Sequence, residues 1–144
     1  MEITETALIK DMGRAIATLR QIKSLGVEIA MDDFGTGYSS LANLRAFPFS
    51  RIKVDRSFIQ SVDTNDQSAT IVRAVLGLGS GLNVPVVAEG VERPEELQFL
   101  RGEICQSAQG YLLSKPKDIE TFRAITEGRT RRLDTPAPEL RLVS

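Results

Sequence analysis

A chain of 144 residues, 42% hydrophobic and 26% charged, suits one globular domain with its own core and excludes a disordered or fibrous protein. With 18 basic and 19 acidic side chains the net charge is −1, so no overall field favours nucleic acid or anionic lipid, and an anionic ligand must be held locally. The lone cysteine, Cys105, rules out an intrachain disulfide framework, and the absence of histidine removes imidazole bases, His-activated nucleophiles and imidazole zinc sites.

The N-terminal stretch Met1-Glu2-Ile3-Thr4-Glu5 has neither the basic start nor the apolar centre of a secretory leader. No apolar run approaches the roughly 20 residues of a membrane span, so a cytoplasmic protein is expected. Leu8, Met12, Ile16, Leu19 and Ile22 recur at spacings of three and four, which predicts a helix over residues 8 to 25 that Gly26 terminates. Val27 to Met31 reads as a buried strand ending in Asp32 and Asp33. Arg51 to Asp55 alternates as a second strand, and Val84 to Ala88 as a third, ending in Glu89. Between these two, Ile71, Val75, Leu78 and Leu82 mark a helix. Arg93-Pro94-Glu95-Glu96 has the proline and acids of a first helical turn, so a helix through Leu97 and Leu100 follows. Ile104 to Ala108 is a candidate strand, and Asp118 caps a last helix bearing Ile119, Phe122 and Ile125.

Strands alternating with helices predict parallel βα units, about five of them between residue 2 and residue 127. A closed (β/α)8 barrel takes about 250 residues, so the alternatives are an open α/β sheet or an incomplete barrel. The division expected is one domain over residues 1–128 and a flexible, disordered tail over 129–144, where two prolines and alternating charge replace the apolar faces.

The charged residues fall at strand ends: Asp32 and Asp33 on one strand, Lys53 near the end of the next, Glu89 and Gln109 on the two that follow. In parallel α/β folds the carboxyl ends of all strands face one way, which brings these side chains to one mouth. Carboxylate oxygens gathered there suit Mg²⁺ or Mn²⁺, and a lysine beside them neutralises charge developing on a phosphoryl group. Two such cations about 4 Å apart would polarise a phosphodiester and acidify a bridging water. Each residue also has a plainer role. Paired acids after a strand start loops and cap helices, a strand-end lysine is usually solvated, and Glu89-Gly90 and Gln109-Gly110 suit turns. The glycine-rich run Gly35 to Ser40 lacks the lysine of a phosphate-binding loop and reads better as a lid.

Glu2-Ile3-Thr4-Glu5, Asp32-Asp33-Phe34-Gly35-Thr36-Gly37-Tyr38-Ser39-Ser40-Leu41, Ile52-Lys53-Val54-Asp55-Arg56-Ser57-Phe58, Ala88-Glu89-Gly90-Val91-Glu92, and Gln109-Gly110-Tyr111 with Lys115-Pro116 resemble, in order, signature motifs of the EAL domain family. The resemblance implies a modified TIM-like barrel and metal-dependent hydrolysis of cyclic di-GMP to linear pGpG, a bacterial second-messenger turnover, with Mg²⁺ or Mn²⁺. It implies Glu2, Asp32, Asp33 and Glu89 as metal ligands and Lys53 as the residue beside the attacking water. It further implies Gln109 as a positioner of water or substrate, and Glu5 as anchor of the Asp32-to-Leu41 loop. Asp55, Arg56, Gly110, Tyr111 and Pro116 would touch the substrate. The Glu-Ala-Leu string and the asparagine-bearing strand of the family do not occur in the chain. The expectation is therefore an N-terminally truncated, incomplete two-metal site. The alternative is a catalytically inactive fragment that binds cyclic di-GMP or a partner protein. A homodimer, or pairing with another EAL, GGDEF or sensory domain, is the expected assembly.

Overall fold

Parallel strands cannot be joined by tight turns, and among the described residues helices lie in three of the connections between strands. The computed structural model describes residues 1–4, 7, 12–35, 45–116, 118, 141 and 142. Strands β1 (Glu2–Thr4), β2 (Ala30–Phe34), β3 (Arg51–Val54), β4 (Val86–Ala88), β5 (Ser107–Ala108) and β6 (Arg141–Leu142) lie side by side in chain order, every neighbouring pair parallel. Helix α1 (Met12–Ser24) lies between β1 and β2, α2 (Arg56–Ile59) and α3 (Asp66–Leu82) between β3 and β4, and α4 (Pro94–Gly102) between β4 and β5.

The alternation in β3 shows how the sheet sorts its side chains. Ile52 and Val54 are buried in the hydrophobic core, while Lys53 between them points to the opposite face. Met31, Val86 and Ala88 join Ile52 and Val54 in that core, with Val72 and Val75 of α3 and Leu100 of α4. Each such aliphatic side chain contributes about 1.5–3 kcal/mol by leaving water. Helix α3 begins at Asn65, whose side chain accepts from the backbone N–H groups of Gln67 and Ser68, and ends at Asn83 in the left-handed region. Helix α4 begins at Arg93. The buried carboxylate of Glu96 reaches back to accept from the backbone N–H groups of Glu92 at 2.8 Å and Arg93 at 3.1 Å.

Several boundaries differ from the sequence expectation. The second strand starts three residues later than expected and runs through both aspartates to Phe34, because Phe34 is buried while Val27 stays outside the core and Glu28 pairs with Arg51. The strand expected over 104–108 is only Ser107–Ala108: Ile104 sits at φ 57° in the turn after α4 and is 71% exposed. Helix α2 was not legible as a helix at all; Asp55 accepts from the Ser57 backbone N–H and caps its single turn. Of the segment expected as a tail, Arg141 and Leu142 stand as β6 beside β5. The expected helix over 119–125, the loop residues 36–41, Leu8 and Glu5 lie outside the described residues.

Candidate active site

Lys53 sits at the centre of the rim where the strands end. Its Nζ lies 2.8 Å from Glu2 Oε1, 3.0 Å from Asp32 Oδ1 and 2.8 Å from Glu89 Oε1, so carboxylates from the first, second and fourth strand regions meet one ammonium of the third. Gln109, just past β5, donates from Nε2 to the same Glu89 Oε1 at 2.5 Å. The Lys53 side chain is only 10% exposed, whereas Glu2 is 58% exposed and reaches in from the edge strand.

Asp33 departs from regular strand geometry. A register shift between Met31 and Phe34 interrupts the β2–β3 pairing, and Asp33 takes φ 54°, so consecutive aspartates escape the strict alternation of a strand. Asp55, at the end of β3, is one of the charges that act on Asp33. Asp55 Oδ1 in turn accepts from the Ser57 backbone N–H at 2.8 Å and from Ser57 Oγ. Gly35 follows at φ 102°, with the Phe58 ring 3.0 Å from where a Cβ would sit.

The loops bearing Glu89 and Gln109 are stitched together. Val91 N–H donates to Gln109 O at 3.0 Å, Leu112 N–H donates to Val91 O at 3.0 Å, and Gln109 N–H donates to Ala88 O at 2.9 Å. Gly110 lies so close to Val91 that a Cβ would come within 2.2 Å of its backbone nitrogen, which requires glycine there. Gly90, at φ 72°, abuts the Cβ of Arg56, the exposed first residue of α2. Tyr111 is exposed with Lys115 Nζ 5.7 Å from its ring centroid, and Pro116 follows on the surface.

Charge and burial oppose one another at the rim. Burial disfavours the Lys53 ammonium, but Glu2, Glu89 and Asp32 outweigh it and hold its pKa above the ordinary lysine value. Glu89 is pushed above the ordinary carboxylate value, first by burial and then by Asp32 and Glu2, against the pull of Lys53. Burial likewise raises Asp33, with Asp32 and Asp55 adding to it.

Three carboxylates, Glu2, Asp32 and Glu89, thus face one lysine, and Asp33 follows Asp32 in the chain. Asp32 Oδ1 is buried and accepts no directed hydrogen bond, although Lys53 Nζ is within ion-pair distance. An excess of hard oxygen donors and an oxygen without a directed donor fit a divalent cation in donor type and charge. Among the described residues, however, no three acidic or thiol side chains are arranged so that they could hold a metal ion between them; the three carboxylates at the rim enclose the Lys53 ammonium instead. Among the described residues, too, no helix is long and apolar enough to cross a membrane.

A parallel α/β sheet with carboxylates and a lysine at its carboxyl rim defines the class of protein to which the chain belongs. Residues 1–116 match the EAL domain, and the chain is a member of the EAL domain family. Among curated relatives, an uncharacterised signalling protein of Caulobacter vibrioides is 56% identical over 122 residues, 85% of this chain and 15% of that protein. The cyclic di-GMP phosphodiesterase NbdA of Pseudomonas aeruginosa is 43% identical over 141 residues, 98% of this chain and 18% of NbdA. The chain therefore spans less than a fifth of the length of these two relatives. Among solved structures, the PaMucR phosphodiesterase in complex with c-di-GMP superposes with a TM-score of 0.81 at 42% identity, covering 84% of this chain and 49% of that one. Klebsiella pneumoniae BlrP1 in a manganese and cyclic-di-GMP complex gives 0.74 at 36% identity, covering 80% of this chain and 29% of that one. The fold is accordingly that of the EAL barrel over part of its length.

Proposed function

We propose that this chain supplies the carboxylate and lysine rim of a metal-dependent cyclic di-GMP phosphodiesterase that releases linear pGpG. The observation that carries the reading is the meeting of Glu2, Asp32 and Glu89 on Lys53 at the strand ends. It is supported by relatives and structural neighbours that are phosphodiesterases and that bind cyclic di-GMP, one of them with manganese. In the reaction a water oxygen bonds to phosphorus, the bond from phosphorus to the 3′ oxygen breaks, and a proton from water ends on that oxygen.

Glu2, Asp32, Asp33 and Glu89 would hold Mg²⁺ or Mn²⁺. When bound, such ions supply Lewis acidity toward the phosphoryl oxygens and a more acidic water. Lys53, kept charged by its carboxylate neighbours, stabilises negative charge that develops on the phosphoryl group. Gln109 fixes the Glu89 carboxylate through its amide and orients the water or substrate beside it. Glu5 would anchor the loop after Asp33. Asp55, Arg56, Gly110, Tyr111 and Pro116 would line the path of the dinucleotide, and the exposed Tyr111 ring, with Lys115 Nζ over it, would offer a base a stacking surface.

The test is hydrolysis of cyclic di-GMP with Mn²⁺ by this chain and by a version extended upstream. Turnover by the extended version that Lys53→Met abolishes is the expected result. Calorimetry on the same proteins separates binding from hydrolysis. Binding without turnover in the extended version would replace the enzymatic reading with that of a dinucleotide-binding module.

A further inference from the structure

The residues from Glu89 to Arg93 join β4 to α4 without strand or helix of their own, and they carry Glu89 to the rim. A glutamate on such a loop keeps its place only if the backbone beneath it is fixed. On one side the loop is sewn to the turn after β5: Val91 N–H donates to Gln109 O, and Leu112 N–H donates to Val91 O, each at 3.0 Å. On the other side it meets the segment that runs from α2 toward α3 at two points. Gly90 abuts Arg56, the first residue of α2, and the Arg93 guanidinium reaches Gln60 and Asp63, just beyond that helix.

The grip of Arg93 is one planar group serving three partners. Nη1 donates to Asp63 Oδ2 at 3.0 Å and Nη2 to Asp63 Oδ1, a bidentate pair, while Nη2 also donates to Gln60 O at 3.3 Å. Nε donates to Glu96 Oε1 at 2.7 Å. The Glu96 carboxylate is buried, and its other oxygen accepts from the backbone N–H groups of Glu92 and Arg93. That carboxylate joins the guanidinium to the loop backbone, so the loop cannot shift without drawing the fork off Asp63. Capping α4 needs only the Glu96 half of this arrangement. The half that grips Asp63 and Gln60 ties the loop to a different element.

Resting on the reading of Glu89 as part of a phosphodiesterase rim, we infer that Arg93 is a positioning residue: its fork holds the Glu89 loop to the α2 segment and so keeps the Glu89 carboxylate on Lys53 Nζ at 2.8 Å and within reach of Gln109. The guanidinium itself spends its bonds on Asp63, Gln60 and Glu96 and acts on the chemistry only through the loop. A shift of about 1 Å at a group in the rim is enough to slow a reaction, which is why a residue remote from the chemistry can matter to it.

The experiment uses the whole chain as Asp63→Ala, which removes the bidentate partner and leaves the Glu96 cap intact, and as Arg93→Lys, which keeps the charge and loses the fork. The first readout needs no metal: amide hydrogen exchange at Glu89 and Val91, whose N–H groups donate to Val54 O at 3.3 Å and Gln109 O at 3.0 Å. The controls are Leu97, whose N–H donates to Arg93 O at 3.3 Å inside α4, and Val72 of α3. Asp63→Ala is expected to speed exchange at Glu89 and Val91 about fivefold, the upper worth of an exposed ion pair, with Leu97 and Val72 unchanged. Arg93→Lys is expected to speed them about tenfold, and Asp63→Ala to add little beside it, because the partner through which it acts is already altered. The inference is overturned if Glu89 and Val91 exchange like the wild type in either variant, or if Leu97 or Val72 accelerates as much as they do, which would make Arg93 a cap or a general stabiliser. The second readout is turnover of cyclic di-GMP by the upstream-extended version, where Arg93→Lys is expected to lower kcat about tenfold and leave KM unchanged. A raised KM with an unchanged kcat would overturn the inference too. An extended version without any turnover would count against the phosphodiesterase reading, and the exchange rates would still decide the role of Arg93.

Discussion

Lys53 carries the site, and its removal separates two contributions. Replacing it by methionine keeps most of the volume but leaves Glu2, Asp32 and Glu89 without their shared counter-charge. Asp32 and Glu89 are mostly buried, so their repulsion is poorly screened. Lys53→Met is expected to lower unfolding free energy by about 3 kcal/mol in chelator, measured by urea denaturation. Millimolar Mn²⁺ should recover more stability in the variant than in the wild type, since a bound cation replaces the missing charge. Equal gains in both proteins would show that the carboxylates do not share the cation. Gly90 offers a second residue-level test. A side chain there meets both a φ of 72° and the Arg56 Cβ at 2.5 Å, so Gly90→Ala is expected to cost about 2 kcal/mol and to slow turnover in the extended enzyme by displacing Glu89.

At the scale of elements, α3 contains three glycines whose environments differ sharply. An added Cβ meets nothing at Gly77 or Gly81, whereas at Gly79 it would lie 2.2 Å from Val86 Cγ2 and 2.8 Å from the carbonyl oxygen of Val84. Gly77→Ala and Gly81→Ala should therefore each stabilise by about 0.5–1 kcal/mol through helix propensity. Gly79→Ala should destabilise despite the same propensity gain, because β4 packs directly on the helix backbone. Thermal melts of the three variants check the sign. The other device at this scale is the Arg93 clamp. Its guanidinium bonds Asp63, the Gln60 carbonyl and the buried Glu96, tying the chain after α2 to the start of α4. Arg93 holds the Asp63 carboxyl below its ordinary 3.8, so the clamp contributes stability above that pH and loses it as pH falls through the depressed value. Asp63→Asn should flatten the acid limb of the stability profile below about pH 4 and leave its neutral limb parallel to the wild type.

These elements also show what the sequence discloses and what it withholds. The strand expected over Val84 to Ala88 forms over Val86–Ala88, and it was readable because strands buried on both faces are apolar throughout, so that such an element rises above the noise of local propensity. Ile104 misled for the same reason: it is apolar, yet it occupies a left-handed turn that only tertiary packing dictates. The charged strand ends of Asp32, Lys53 and Glu89 were legible as a common rim, since direction is shared in a parallel sheet. That one ammonium would touch three carboxylates was not legible, because that depends on register between strands and not on order along any one of them. Nor was the left-handed backbone of Asp33, which accompanies a break in that register.

For the whole molecule the sheet itself sets the last expectation. Among the described residues, β1 pairs only with β2, and its three residues are largely exposed, so one row of backbone donors and acceptors faces outward. Glu2, which gives Lys53 one of its three partners, lies on this edge strand. An uncovered parallel edge is a template for further strand pairing. The 144-residue chain alone is therefore expected to self-associate as concentration rises, and the upstream-extended version to do so less, as read by light scattering at matched concentrations. If covering the edge also orders β1, hydrogen exchange at Ile3 and Thr4 should slow in the extended version while α3 stays the same. A chain that is monodisperse and monomeric at high concentration, with Ile3 already as protected as Val72, would mean that β1 needs no further strand to hold Glu2 against Lys53.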